Sequence, residues 1–305
     1  MGETEPAGGF AAAVAAAVSR TSPLCAGIDP SSALLERWGL PDSADGLASF
    51  GLRCVEAFAG VVPVVKPQVA FFERWGAAGL GALETVMAAA RQAGLLVIAD
   101  AKRADIGSTM EAYASAWLDP ASPLVADAVT VVPYLGIGAL APAFDLAAAS
   151  GRGVIVVVRS SNPEGRSLQE AVLSQAVLSG RSGSEAGVSV DRVSVDRVSV
   201  EDSLLQEIAD LNHGGLPVPG TVGAVIGATL EPSHFELAGL GGVILAPGLG
   251  AQGGTAAGAA RLFSGCPPHS VLANVSRTVL AAGPDQGALT EAARVAGEEL
   301  NAAFG

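Results

Sequence analysis

The densest run of reactive side chains is Asp100-Ala101-Lys102-Arg103-Ala104-Asp105-Ile106, which follows directly on the apolar residues 95–99. Side chains two apart on a strand share a face, about 7 Å apart along it. Asp100 and Lys102 can therefore point the same way, a carboxylate beside an ammonium at the end of a buried strand. Asp105 and Thr109 are four apart and would share a face if a helical turn begins there. A solvated surface loop is the plainer alternative, but a carboxylate set against residues 95–99 speaks for function.

Other polar residues occupy equivalent places. Short β-branched, apolar runs at 24–28, 61–65, 95–99, 128–132, 153–158, 222–226, 242–245 and 270–274 read as strands. Asp29 follows the first, Lys66 the second, and Ser160 and Ser161 the fifth. A glycine-rich stretch with Gln252 and Gly253 follows the seventh, and Arg277 comes just after the eighth. The intervening segments carry helical spacing, as in Leu47, Phe50, Cys54 and Phe58, in residues 72–87, and in Leu204, Leu205, Ile208 and Leu211. Eight such alternations predict a single α/β domain over residues 1–305, a closed (β/α)8 TIM barrel, with an open doubly wound sheet as the alternative. In a barrel the polar residues would converge on one rim, at the carboxyl ends of the strands.

One segment, at about 179–202, departs from the pattern. It is rich in Ser, Gly and Val and repeats Ser189-Val190-Asp191-Arg192-Val193 as Ser194-Val195-Asp196-Arg197-Val198. Two short copies cannot build a repeat domain, so the segment reads as an expanded loop insertion without a chemical role.

Composition narrows the function classes. Thirty acidic against 17 basic residues give a formal charge of −13, which disfavours nucleic-acid binding and requires a local positive cluster for any anionic substrate. Half the residues are hydrophobic and 5% aromatic, so the chain folds around Ala, Val and Leu. Cys25, Cys54 and Cys266 are odd in number and widely spaced, which predicts free thiols in a reducing compartment, with neither disulfides nor a zinc site. The mean hydropathy of +0.45 raises the membrane question, yet residues 237–260, the longest uncharged stretch, are broken by eight glycines, Pro247 and Gln252. Glu3 and Glu5 do not suit a signal peptide, and Pro6 stands where myristoylation wants Ser or Thr. The expectation is a soluble, cytoplasmic protein without nucleic-acid or membrane partners. His213, His234 and His269 are expected at the surface, and Trp38, Trp75 and Trp117 in packing roles.

The DxKxxDI string at 100–106 resembles the signature of the orotidine 5′-phosphate decarboxylase family. Cys25-Ala26-Gly27-Ile28-Asp29-Pro30 is similar to that family's first-strand motif, and Val65-Lys66-Pro67-Gln68 to its second. Ser161-Asn162-Pro163 resembles the pyrimidine-contacting turn, residues 247–254 the phosphate loop, and Ser276-Arg277 the last phosphate contact. The wording is most similar to the longer bacterial branch, from which the repeat insert departs.

The resemblance implies decarboxylation of orotidine 5′-monophosphate to UMP in pyrimidine biosynthesis, without metal or cofactor, by a homodimer with shared active sites. It assigns an alternating charge array to Lys66, Asp100, Lys102 and the partner subunit's Asp105, with Lys102 protonating C6. It gives Asp29 and the partner subunit's Thr109 to the ribose, Ser161 to the pyrimidine, and Gln252, Gly253 and Arg277 to the phosphate. Strand alternation instead puts Ser160 on the face of Val156 and Val158, so the residues alone leave the choice of serine open. Two rivals stand beside this reading. A magnesium-dependent sugar-phosphate decarboxylase or aldolase of the same superfamily would want an acid near Lys66, and a non-catalytic phosphate-binding barrel would not need the Asp100–Lys102 pair.

Overall fold

The computed structural model describes residues 8–174, 198–230 and 236–305. Its strands are β1 (Leu24–Ile28), β2 (Val64–Pro67), β3 (Leu96–Arg103), β4 (Ala128–Val131), β5 (Gly153–Arg159), β6 (Val222–Ile226), β7 (Ile244–Ala246) and β8 (Val271–Val275). Each pairs parallel with the next, and β8 pairs with β1 to close the barrel. The eight-stranded barrel is the predicted one, and the open sheet is excluded.

The helices are α1 (Gly9–Val18), α2 (Ser32–Arg37), α3 (Ala44–Phe58), α4 (Val69–Glu73), α5 (Gly76–Gln92) and α6 (Gly107–Leu118). They continue with α7 (Ala141–Ser150), α8 (Arg166–Gln169), α9 (Val200–Asp210), α10 (Ala256–Leu262), α11 (Arg277–Leu280) and α12 (Gln286–Phe304). None of the described helices is long and apolar enough to cross a membrane.

Period-two alternation explains where the polar residues go. Cys25, Val64, Ile98, Ala128, Ile155, Val225, Leu245 and Leu272 form one buried cluster inside the barrel, closed from below by Phe10, Val14 and Val18 of α1. Lys66, Asp100 and Thr130 lie two residues beyond Val64, Ile98 and Ala128, so they share the inner face one layer nearer the mouth. The outer strand faces pack with the helices in a second, larger cluster that includes Phe50, Phe58, Leu83 and Met87. Each such fully buried side chain contributes about 1.5–3 kcal/mol. Trp38 stacks on Phe50 with ring centroids 4.1 Å apart and donates its indole N–H to the Leu280 carbonyl at 3.2 Å. Trp117 is buried as expected, whereas Trp75 is 39% exposed beneath the Arg74 guanidinium.

Several local expectations are corrected. The second strand begins at Val64 instead of Val61, because Pro63 has no N–H to give the ladder and offers only its carbonyl, to Leu96. Residues 72–87 form parts of two helices: the chain turns at Trp75 and Gly76, where Gly76 takes φ +56°. Asp105 and Thr109 do not share a helical face. Asp105 precedes α6, separated from it by the extended Ile106, and only Thr109 is helical.

The repeat lies largely outside the described residues, as does His234. Within the predicted insertion, residues 200–202 instead open α9, where Ser199 and Asp202 form a reciprocal capping box. The described chain on either side of residues 175–197 meets in a short antiparallel bridge. Leu173 donates its N–H to Val198 and Val200 donates to Ala171, each at 2.9 Å. Cys25 and Cys54 are free and buried, and Cys266 is free and half-buried.

Candidate active site

β2 and β3 bring Lys66 and Asp100 together across the barrel mouth. The Lys66 ammonium donates to Asp100 Oδ2 at 2.7 Å, with Lys66 4% and Asp100 7% exposed. Lys102 donates to the other oxygen, Oδ1, at 2.5 Å, and its side chain is 48% exposed at the open mouth. Two neutral groups complete the shell: Gln68 Nε2 donates to Oδ2 at 2.8 Å and the Thr130 hydroxyl to Oδ1 at 3.0 Å. The carboxylate thus accepts from two cations and two neutral donors.

This shell fixes the protonation states. Burial by itself would raise the Asp100 carboxyl, but Lys66 and Lys102 outweigh it and hold the group well below the usual carboxylate range. Burial would likewise lower Lys66, but Asp100 and then Asp29 overcome it and keep the ammonium charged beyond the usual lysine range. Cys25, on the same inner face, is pushed up to about 12 by burial and stays a thiol, so it offers no nucleophile.

Lys102 has an unusual backbone. It sits at φ +48° inside a β3–β4 register shift between Ala99 and Arg103. A side-chain-bearing residue adopts this region rarely, and such conformations concentrate where function needs them.

A second group of residues lies on the far strands. The Ser161 hydroxyl donates to Gln252 Oε1 at 3.0 Å. Ser160 is engaged elsewhere: its N–H and hydroxyl both face the amide of Gln169 in α8. The glycine-rich loop folds on itself through Gly253 N–H to Gly250 O at 2.8 Å and Gly254 N–H to Gly248 O at 3.0 Å. Gly248, Gly250 and Gly253 all have positive φ, a path that glycine takes without strain. A Cβ on Gly248 would lie 3.2 Å from Gln252 Oε1, 3.3 Å from Thr229 Cγ2 and 3.5 Å from Ser161 Cβ, so these side chains converge there.

Just after β1, Asp29 Oδ2 accepts from the Ser276 hydroxyl at 2.5 Å, while Oδ1 is buried without a hydrogen-bond partner among the described residues. Gly27 permits that approach, since a Cβ there would come within 2.6 Å of Ser276 Cβ. Arg277 follows immediately as the first residue of α11, exposed to solvent. Asp105 is not joined to the lysines within the chain: its Oδ1 accepts the Ile106 N–H at 2.8 Å. Thr109 is exposed on the first turn of α6.

Lys66, Asp100 and Lys102 therefore meet in one array, Ser161 and Gln252 in a second group, and Asp29 borders the first through its charge on Lys66. Sequence reasoning assigned no role to Gln68, Thr130 or Thr229, and did not foresee the bond of Ser276 to Asp29. Gln68 and Ser276 stood inside the quoted motifs, whereas Thr130 was hidden in the apolar-looking run Ala128-Val129-Thr130-Val131. Among the described residues, no group of three or more His, Cys, Asp or Glu side chains is placed to share a metal ion.

A closed barrel with reactive side chains gathered at its strand ends is the architecture of the (β/α)8 enzymes. Within that class the chain belongs to the orotidine 5′-phosphate decarboxylase / HUMPS family, whose sequence model matches residues 22–292. Orotidine 5′-phosphate decarboxylase of Salinispora tropica is 49% identical over 284 residues, covering 93% of this chain and 94% of the relative. The Corynebacterium efficiens enzyme of that name is also 49% identical, over 290 residues and 94% of each chain. Among solved structures, a Streptomyces avermitilis protein assigned as orotidine 5′-phosphate decarboxylase superposes with a TM-score of 0.83 at 44% identity, covering 97% of this chain and 96% of its own. Leishmania donovani OMP decarboxylase gives 0.70 at 28% identity, over 97% and 98% of the two chains.

Proposed function

We propose that the chain decarboxylates orotidine 5′-monophosphate to UMP and CO2, and that the Lys66–Asp100–Lys102 array does the chemistry. The observation that carries this is the buried, ionised Asp100 with a lysine on each oxygen. Heterolysis of the bond from C6 to the carboxylate releases CO2 and leaves the electron pair on C6. Lys102 Nζ stabilises that charge as it develops and then gives C6 a proton; solvent restores the ammonium. Asp100 lies where the departing carboxylate would sit, so like-charge repulsion is relieved as CO2 leaves. Lys66 keeps Asp100 ionised.

The phosphate supplies binding energy far from the reacting carbon. Arg277 offers it a planar fork, and Gln252 and the Gly253 backbone a loop that can close on it. Ser161, bonded to Gln252, is the serine suited to the pyrimidine, since Ser160 is occupied by Gln169. Asp29, with one buried oxygen unpartnered among the described residues, suits a ribose hydroxyl.

Magnesium chemistry at this carboxylate is disfavoured by its four donors, which occupy the oxygens a metal would need. The direct experiment is a spectrophotometric assay with orotidine 5′-monophosphate, with and without EDTA. Equal conversion in both is expected. Loss of activity on chelation would install the magnesium-dependent reading, and no conversion by folded protein would reject decarboxylation of this substrate.

The homodimer with shared sites is part of the same proposal. Asp105 is half-buried and Thr109 exposed, on either side of Ile106, 62% exposed, and Tyr134 and Leu135, after β4, are 75% and 52% exposed, apolar surface suited to a second copy. The partner subunit's Asp105 and the partner subunit's Thr109 would then complete the array and the ribose site. Mixing Asp105→Ala with Lys102→Ala subunits should restore about a quarter of wild-type activity, because half of randomly paired dimers hold one intact site of two. Confirmed heterodimers without recovery would exclude the cross-subunit role. A biosynthetic enzyme of this kind fits the cytoplasm.

A further inference from the structure

We propose that Thr130 is a positioning residue that holds Lys102 in its working conformation against Asp100. The inference deepens the reading of Lys102 as proton donor and rests on it. Thr130 is on β4, 1% exposed, and faces into the barrel between strands whose other inward residues at that depth are charged or apolar. A buried hydroxyl there must find partners. It finds two, and both belong to the array. Thr130 Oγ1 accepts the backbone N–H of Lys102 at 3.0 Å and donates its own proton to Asp100 Oδ1 at 3.0 Å.

These two bonds act on different weaknesses of the site. The first ties down a backbone at φ +48°, which a lysine leaves unless something outside it compensates. The register shift between Ala99 and Arg103 interrupts the regular β3–β4 ladder at this point, so a side chain replaces the carbonyl that a regular strand would have supplied. The second bond fixes the rotation of the Asp100 carboxylate, so that Oδ1 meets Lys102 while Oδ2 meets Lys66 and Gln68. One hydroxyl therefore sets both partners of the Lys102–Asp100 contact. β-Branching holds the hydroxyl in place, since Thr has few χ1 choices on a strand.

Thr130→Val keeps the branch and removes both bonds, and Thr130→Ser keeps the hydroxyl. In Thr130→Val, kcat for orotidine 5′-monophosphate should fall by about 10- to 100-fold, the effect of a misplaced reacting group. The KM and the inhibition constant of UMP should stay within about threefold, because the bonds of Thr130 go to Lys102 and Asp100 and not to the phosphate or ribose residues. Thr130→Ser should recover kcat to within about threefold of wild type. A crystal structure of Thr130→Val should show Lys102 out of the positive-φ region, with Nζ withdrawn from Asp100 Oδ1. A Thr130→Val kcat within twofold of wild type would overturn the proposal. So would kcat and UMP binding falling together without rescue by Ser, the mark of a packing defect. If the wild type itself turned over no substrate, the decarboxylase reading would fail separately. The Lys102 conformation in the variant would still decide the role of Thr130.

Discussion

Lys102→Ala should leave a folded protein that binds UMP and has lost turnover by at least about 10⁴-fold, the upper end of what one positioned acid contributes. Lys102 is half in solvent at the mouth, so its truncation opens no cavity in the core. The phosphate loop follows β7 and Arg277 opens α11, so both keep their geometry and UMP affinity should change little. A single-turnover assay with radiolabelled carboxylate, read beside UMP titration, separates the two. Retained turnover would remove Lys102 as proton donor. Loss of UMP binding in step with turnover would show instead that the residue holds the ligand.

Asp100→Ala should damage both activity and the fold. It leaves the Lys66 ammonium, 4% exposed, without its hydrogen-bonded carboxylate. Breaking a buried pair on one side costs about 3–5 kcal/mol, which lowers Tm on the order of 5–10 °C in a domain of this size. The pH dependence gives an independent check. Asp100 titrates below its unfolded value in the native state, so its contribution is present above about pH 4 and lost as pH falls through the native value. Lys66 titrates above its unfolded value, so its contribution is present below about pH 10 and lost as pH rises through the native value. Denaturant midpoints of the wild type should form a plateau between those limits, and Asp100→Ala should lack the increment in stability that the wild type gains as pH rises through about 4. An unchanged Tm would mean that Lys66 finds another partner or gives up its proton.

The barrel and its charged mouth were legible because both follow from short-range patterns. Eight apolar runs separated by helical spacing describe strands buried on both faces, and a carboxylate two residues before a lysine on one of them describes a shared face. Lys66 was legible by its place after the second run. What escaped was geometry that no residue type announces. Nothing in Ala101-Lys102-Arg103 signals a left-handed lysine, since that conformation is imposed from outside, by β4. Thr130 is invisible for the reciprocal reason: on sequence it is one more β-branched residue in a strand. The helix break at Gly76 was obscured by the alanines and leucines that follow it, which favour helix. The buried pairing of Arg159 on β5 with Glu201 on α9, 3.1 Å apart, joins residues far apart in sequence.

The antiparallel bridge of Val172 with Ser199 has a consequence for how this chain tolerates change in length. Because the chain leaves and returns at adjacent points, both anchored to described structure, the distance to be spanned does not depend on how many residues lie between. Closure entropy rises only slowly with the number of residues between two fixed points, by about 0.6 kcal/mol per doubling. Gaining or losing a five-residue unit between residues 172 and 199 would thus be nearly neutral for the barrel, and a tandem duplication such as residues 189–198 can persist there without selection for its sequence.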